Sequence, residues 1–314
     1  MVALQTPRLA YCRGQVRPWD EAVIHVSSEA LIRGLNVFEG LKAYWQPDGS
    51  LGIVALERHF ERLKRSAKLL HFPFAMSFGA FEDAVHSLTE PLCVAEKNIW
   101  IRATLFMVEG HWGEDQQADL VMTAYLTPLG SPAPINVGIS TWKRASDVML
   151  PARIKTSSNY QVARLARIEG RSRGLDDMIL LNQHDRVAEA GGSCVLLARD
   201  GVVATPPASE GTLESITVEI AEALARDMGI PFVRRPVERT ELYIADEIAL
   251  VGTLAEFTPV ISVDGFACSG KSSMISALAS RYREAVKGAV PHPSTALSSR
   301  RYSPYLKLSR QNAA

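Results

Sequence analysis

Apolar residues recur at Leu56, Phe60, Leu63, Ala67 and Leu70, in steps of three and four that place them on one face of a helix. The same period returns at Ile216, Ile220, Leu224 and Met228, and Gly229 follows where a left-handed residue closes such a helix. Two more helices are expected over residues 77–88 and 160–173. Strand patterns fill the intervals: a hairpin over 11–26 around Arg13-Gly14, another over 37–55 around the turn tripeptide Pro47-Asp48-Gly49, and single strands at 99–108, 120–126, 135–141, 178–181, 194–198 and 248–251. Hairpins followed by helices, without an internal repeat, make an α+β chain.

The stretch LGSPAP at 129–134 interrupts two apolar segments with Pro, Gly and Ser and is the best linker. It divides a small α/β domain (1–128) from a larger domain (135–290), and the Pro, Ser and Arg content of 291–314 predicts a flexible tail. A chain of 314 residues exceeds the usual size of one core, which independently favours two lobes with a cleft between them.

Composition narrows the function classes. Hydrophobic residues at 47% and charged residues at 22% are ordinary for a globule. Lys plus Arg (34) balances Asp plus Glu (34), leaving no broad positive field for nucleic acid or an anionic membrane. No apolar run approaches the roughly 18 residues of a membrane span, and the N-terminus lacks the basic-then-apolar order of a secretory signal. Cys12, Cys93, Cys194 and Cys268 are scattered without a CxxC pair, so no metal site or disulfide framework is expected, and reduced thiols in a cytoplasm are.

The informative chemistry runs from Trp142 to Glu189. A lysine taken alone is a solvated surface group in most proteins. Lys155, however, opens the polar run of IKTSSNY between a strand pattern and a helix, where loops carry functional groups on a rigid scaffold. Glu189, in VAEAGG, holds an equivalent place at a strand end before Gly191-Gly192.

This pair of motifs resembles the signatures of the fold-type IV, branched-chain-aminotransferase-like family of pyridoxal-phosphate enzymes. The resemblance continues in order through NVFEGLKAYW (36–45), HFERLKRSAKLLHFP (59–73), WIRATLF (100–106), VVATPP (202–207), LESITVEIAEALA (213–225) and YIADEIALVGTLAEFTPVISVDG (243–265). It implies a two-domain α+β fold like that of D-amino-acid aminotransferase, with a barrel-like sheet in the larger domain and pyridoxal 5′-phosphate at the domain interface. It also implies a homodimer acting on an amino acid and a 2-oxo acid.

By the same resemblance Lys155 bonds the cofactor and moves the proton, Glu189 faces the pyridine nitrogen, and Tyr160 donates to the phenolic oxygen. Arg62, Ile216, Thr217 and Thr253 hold the phosphate, while Arg102, Phe38, Trp100, Arg33, Thr253 and Leu254 meet the substrate. A 4-amino-4-deoxychorismate lyase or a D-amino-acid transaminase would use the same lysine on the same fold.

Departures from the family fall on the substrate side. Arg33 and Trp100 stand where many branched-chain members carry tyrosines, Gly110-His111-Trp112-Gly113 replaces a Gly-Met-Gly type loop, and Ser193-Cys194 replaces Glu-Asn. An unpaired Arg33 would open the pocket to donors bulkier or more acidic than leucine. One competing motif remains: GFACSGKS at 265–272 fits a P-loop and would indicate a nucleotide hydrolase. The family resemblance puts a surface hairpin there instead, and the chain after Ser272 is expected to be too short for the parallel strands a P-loop enzyme needs.

Overall fold

The computed structural model describes residues 6–110, 112, 114 and 116–300. The chain divides into two compact units, one formed by the residues up to Leu129 together with the segment from Glu284, the other by Gly130 to Arg283.

The first unit contains strands β1 (Leu9–Cys12), β2 (Gln15–Pro18), β3 (Asn36–Trp45), β4 (Leu51–Val54), β5 (Asn98–Glu109) and β6 (Gln117–Thr127), with helices α1 (Glu29–Ile32), α2 (Leu56–Leu69) and α3 (Phe78–Thr89). The second contains β7 (Ile135–Lys143), α4 (Tyr160–Ser172), β8 (Asp177–Leu181), β9 (Val187–Ala190), β10 (Cys194–Arg199), β11 (Val202–Thr205), α5 (Ile216–Asp227), β12 (Phe232–Arg234), β13 (Glu247–Gly252), β14 (Glu256–Val263) and β15 (Phe266–Ala267). Helix α6 (Met274–Val286) and strand β16 (Leu297–Arg300) complete the described chain.

In the first unit the described strands form a seven-stranded sheet in the order β16-β4-β3-β5-β6-β1-β2. Period-two alternation gives this sheet two different faces. Ile99, Ile101, Ala103 and Leu105 of β5 are buried at 0–2% exposure, whereas Trp100, Arg102 and Thr104 between them are half-buried. Strand β3 lies in register with Phe38 opposite Thr104, Gly40 opposite Arg102 and Lys42 opposite Trp100. Phe38, Trp100 and Arg102 therefore share one face. Gly40 lets the indole lie close, since a Cβ there would be 3.2 Å from Nε1 of Trp100.

The apolar stripe of α2 is its buried face, with Leu56, Phe60, Leu63 and Ala67 all buried. The helix ends through His71 at φ +56°, and Phe72 N–H donates back to the Ala67 carbonyl at 2.9 Å. Two expectations fail locally in this unit. The first hairpin stops at Pro18 rather than running to residue 26, because proline brings no N–H to the ladder, and a 3-10 turn takes Trp19–Glu21. The segment read as a tail instead supplies β16, antiparallel to β4 from Leu297↔Val54 to Arg300↔Leu51. His86 Nε2 donates to Ser298 Oγ at 2.8 Å, and that hydroxyl donates to Glu82 at 2.6 Å. Residues 301–314 lie outside the described residues.

In the second unit the described strands form a nine-stranded sheet, curled as a half-barrel, in the order β12-β11-β10-β13-β14-β7-β8-β9 with β15 paired to β14. Its core is aliphatic: Val137, Ile179, Val195, Leu197, Ile248 and Val263 are among its buried members. Helix α4 packs on β8 through Ala166, Met178 and Leu180. Helix α5 closes where Gly229 takes φ +66° and Ile230 N–H reaches the Ala225 carbonyl at 2.8 Å.

Candidate active site

Lys155 lies in the loop between β7 and α4, and its Nζ donates to the Tyr160 hydroxyl oxygen at 2.9 Å. Asn159 holds this loop. Its side-chain amide donates to the carbonyls of Pro151 at 3.0 Å and Ile154 at 2.9 Å, fixing the backbone just before the lysine.

Glu189 is the half-buried third residue of β9, whose other three residues are buried. Its Oε2 accepts from Leu213 N–H at 2.9 Å and from the Thr212 hydroxyl at 3.3 Å, and its Oε1 faces Arg144 Nη2 at 3.4 Å. A carboxylate offers about four acceptor positions, so these three donors leave capacity for another. The chain then turns through Gly191, where a Cβ would come within 2.9 Å of Nε of Arg167, itself paired with Asp177.

Lys155, Tyr160 and Glu189 line one cleft with Arg144, Asn159 and Leu213. Beside Glu189, burial and then the carboxylate push the Cys194 thiol up to about 11. The thiol packs against the Thr212 hydroxyl at 3.4 Å and the Leu213 carbonyl at 3.7 Å.

Ile216, Thr217 and Thr253 are not in the walls of that cleft. Ile216 and Thr217 are buried at the start of α5, where Ser215 caps the helix by accepting from Val218 N–H at 3.3 Å. Thr253 and the exposed Leu254 follow Gly252, at which a Cβ would lie 3.5 Å from the Gly192 carbonyl oxygen. Glu256, at the other end of this turn, is held at φ +51°.

The remaining site candidates belong to the first unit. Arg102 stacks its guanidinium on Phe38, 3.8 Å from the ring centroid, and donates Nε to Thr104 Oγ1 at 3.3 Å. Trp100 packs on Tyr125 with centroids 5.4 Å apart. Arg62 is buried, donating Nε and Nη2 to the two oxygens of Glu39 at 2.7 and 2.8 Å. His59 Nδ1 meets the same carboxylate at 2.7 Å. Burial alone would raise the Glu39 pKa, but Arg62 and His59 hold it well below the usual carboxylate range.

Arg33 does not stand unpaired, as the sequence reading had it. It caps α1 at the C-terminal end, and its Nη1 contacts both oxygens of Glu29 at 2.7 and 2.6 Å, with Trp112 stacked 5.1 Å from the guanidinium. His111 and Gly113 of the same loop lie outside the described residues.

The P-loop-like stretch is built differently from a phosphate cradle. Phe266 and Ala267 pair with β14, and the N–H groups of Ile275 and Ser276 at the start of α6 are taken by the Glu247 carboxylate at 2.8 Å each. Within the motif itself the N–H groups of Cys268, Ser269 and Gly270 donate to the carbonyls of Ile261, Ala245 and Asp246 at 3.0, 3.2 and 2.9 Å, so they do not converge on a phosphate. Among the described residues, no helix is long and apolar enough to cross a membrane.

An α+β fold whose cleft brings together a primary amine, a phenol and a carboxylate has the donor set of a pyridoxal-phosphate enzyme. Residues 36–263 match the family model for class IV amino-transferases. The chain is 31% identical over 268 residues to a probable branched-chain-amino-acid aminotransferase of Synechocystis sp., covering 83% of this chain and 87% of the relative.

Among solved structures, the branched-chain aminotransferase of Thermoproteus uzoniensis with norvaline superposes with a TM-score of 0.87 at 30% identity, covering 93% of this chain and 99% of that one. The pyridoxal-phosphate form of the Thermobaculum terrenum enzyme gives 0.86 at 30% identity, covering 94% and 98%. The chain belongs to the class IV aminotransferases, which use pyridoxal 5′-phosphate to move an amino group between an amino acid and a 2-oxo acid.

Sequence reasoning missed Arg144, Asn159 and the 212–213 segment. The only local signal for Arg144 is a basic pair, Lys143-Arg144, at the end of β7. Asn159 was part of the quoted motif but carried no separate role.

Proposed function

We propose that Lys155 is the residue that bonds pyridoxal 5′-phosphate and moves the proton, in a transamination of the branched-chain type between an amino acid and a 2-oxo acid. The observation that carries this is the 2.9 Å contact of Lys155 Nζ with Tyr160 in the cleft that also holds Glu189. The residues fit the cofactor: an amine to bond an aldehyde carbon, a phenol beside it, and a carboxylate with acceptor capacity to spare. When bound, the cofactor supplies that aldehyde and a pyridine ring able to absorb negative charge.

With cofactor and substrate bound, Lys155 Nζ would be the base that moves the proton at the substrate carbon. Tyr160 orients this nitrogen and would donate to the cofactor's phenolic oxygen. Glu189, held in place by the Leu213 N–H, would keep the pyridine nitrogen protonated. Ile216 and Thr217 offer the phosphate the positive end of α5, with Thr253 from the turn after β13. Arg62 joins them on the sequence correspondence with the family alone.

Arg102, set rigidly against Phe38 and Thr104, is suited to a substrate carboxylate, and Trp100, Thr253 and Leu254 complete the substrate contacts. Arg33 enters this reading as one half of a neutral ion pair. That weakens the case for an acidic donor, while the tryptophans continue to favour a bulky, aromatic one. The family resemblance supports a homodimer, and the four free cysteines support a reducing, cytoplasmic location.

The test is borohydride reduction of the purified holoenzyme followed by peptide mapping. The cofactor should be found on Lys155, and Lys155→Ala should lose turnover and visible absorbance while keeping its fold. Cofactor attached to another lysine overturns the assignment.

A further inference from the structure

The residue on which the cleft converges has no place in the proposal above. Arg144 follows β7, and its backbone N–H donates to the Leu181 carbonyl at 2.8 Å, at the end of β8. Its side chain is buried at 5% exposure, and its guanidinium faces three separate stretches of chain. Nη1 donates to the Asn159 carbonyl at 3.0 Å, Nε to the Gly211 carbonyl at 3.2 Å, and Nη2 pairs with Glu189 Oε1 at 3.4 Å.

Each of these stretches holds a part of the site. Asn159 is the residue whose amide fixes the backbone before Lys155. Gly211, at φ +84°, leads directly into Thr212 and Leu213, which donate to Glu189 Oε2. Arg144 thus contacts one oxygen of Glu189 itself and anchors the segment that contacts the other.

We propose that Arg144 is the positioning residue of this site: it sets the direction and the charge partner of the Glu189 carboxylate and ties that carboxylate to the loop of Lys155. Three acceptors met by three different nitrogens, Nε, Nη1 and Nη2, match a guanidinium fork; a lysine ammonium carries the charge on one atom and cannot span them. The buried Asn159 carbonyl and the partly buried Gly211 carbonyl would lose their donor in its absence. The proposal rests on the reading that Glu189 faces the pyridine nitrogen, so both residues enter the same experiment.

The experiment is a double-mutant cycle of Arg144→Gln and Glu189→Gln, read by the dissociation constant of pyridoxal 5′-phosphate for the apoprotein and by the pH dependence of the bound cofactor's visible spectrum. Arg144→Gln should weaken cofactor binding by about tenfold or more and displace the pH profile in the same direction as Glu189→Gln. If the arginine acts through the carboxylate, the double variant should be no more than about threefold worse than Glu189→Gln alone.

An Arg144→Gln protein with wild-type affinity and profile overturns the proposal while leaving the role of Glu189 intact. So does an effect that multiplies in full on that of Glu189→Gln, which marks a structural role only. A Glu189→Gln protein indistinguishable from wild type overturns the reading of Glu189 and this proposal with it. Should Arg144→Gln not fold, Arg144→Lys, which retains charge and stem, is judged by the same two readouts: impairment supports the fork, wild-type behaviour overturns it.

Discussion

Arg62 is asked to do two things, and a substitution that removes it tests both at once unless they are separated. In the structure its fork closes on Glu39, a carboxylate at 0% exposure that also receives His59. Replacing Arg62 by Met leaves that carboxylate buried without its main counter-charge, a change that costs about 3–5 kcal/mol. Against a total stability of about 5–15 kcal/mol this is a large fraction. Loss of cofactor in the single variant would therefore say little about the phosphate.

The double variant Glu39→Gln with Arg62→Met removes both charges and leaves His59 an amide oxygen to bond, so it should recover to within about 2 kcal/mol of wild type. Urea unfolding of the apoproteins gives the stabilities, and titration with pyridoxal 5′-phosphate gives the affinities. If Arg62 also binds the phosphate, the double variant should be nearly as stable as wild type yet bind cofactor about 10- to 100-fold more weakly, as expected for a charge-assisted bond of about 1.5–3 kcal/mol. Wild-type affinity in the double variant refutes the phosphate role. A single variant destabilised by less than about 1 kcal/mol refutes the reasoning about the buried pair. Because the Glu39 pKa is depressed, its contribution is fully present above its ordinary 4.5 and is lost as pH falls through the folded value.

Other expectations follow from the same geometry. Burial, followed by the Arg300 charge, lowers the His86 pKa from 6.5 to about 4. A base with a depressed folded pKa gives stability that is complete above 6.5 and drains as pH falls toward 4, on the order of 2 kcal/mol here; His86→Gln, which keeps a donor for Ser298, should flatten that part of the unfolding profile, and an unchanged slope would count against it. Lys271→Ala should leave cofactor affinity and kcat/KM unaltered, since Glu247 holds the helix N-terminus behind it; a lost activity would revive the nucleotide reading. Arg33→Tyr alone should cost stability by leaving Glu29, at 6% exposure, unpaired, whereas Glu29→Gln with Arg33→Tyr should fold normally and shift donor preference toward valine, leucine and isoleucine. Steady-state kcat/KM over a donor panel checks this, and a wild-type enzyme already preferring leucine by an order of magnitude would remove the altered-pocket argument.

The sequence by itself determined the features that depend on near neighbours. The helix over 56–70 was legible because burial of Leu56, Phe60, Leu63 and Ala67 obeys the 3.6-residue period, and the end of α5 because Gly229 is where a left-handed residue belongs. The strands β5 and β6 were expected from their strand patterns, and Lys155 and Glu189 were singled out from motifs that each occupy one short segment, the loop before α4 and the strand β9 with its following turn.

Only the tertiary structure decided which polar and charged groups meet. Arg62 and Glu39, His86 and Ser298, and Arg144 with Glu189 are distant in the chain, and their pairing depends on strand register and helix docking that no local window contains. Arg33 with Glu29 is the instructive exception, an i,i+4 pair hidden only because the short α1 helix shows no apolar period of its own. The strand β16 was illegible for a related reason: a Ser- and Arg-rich segment has no pattern that predicts order, and it becomes a strand because the edge of β4 offers it backbone partners.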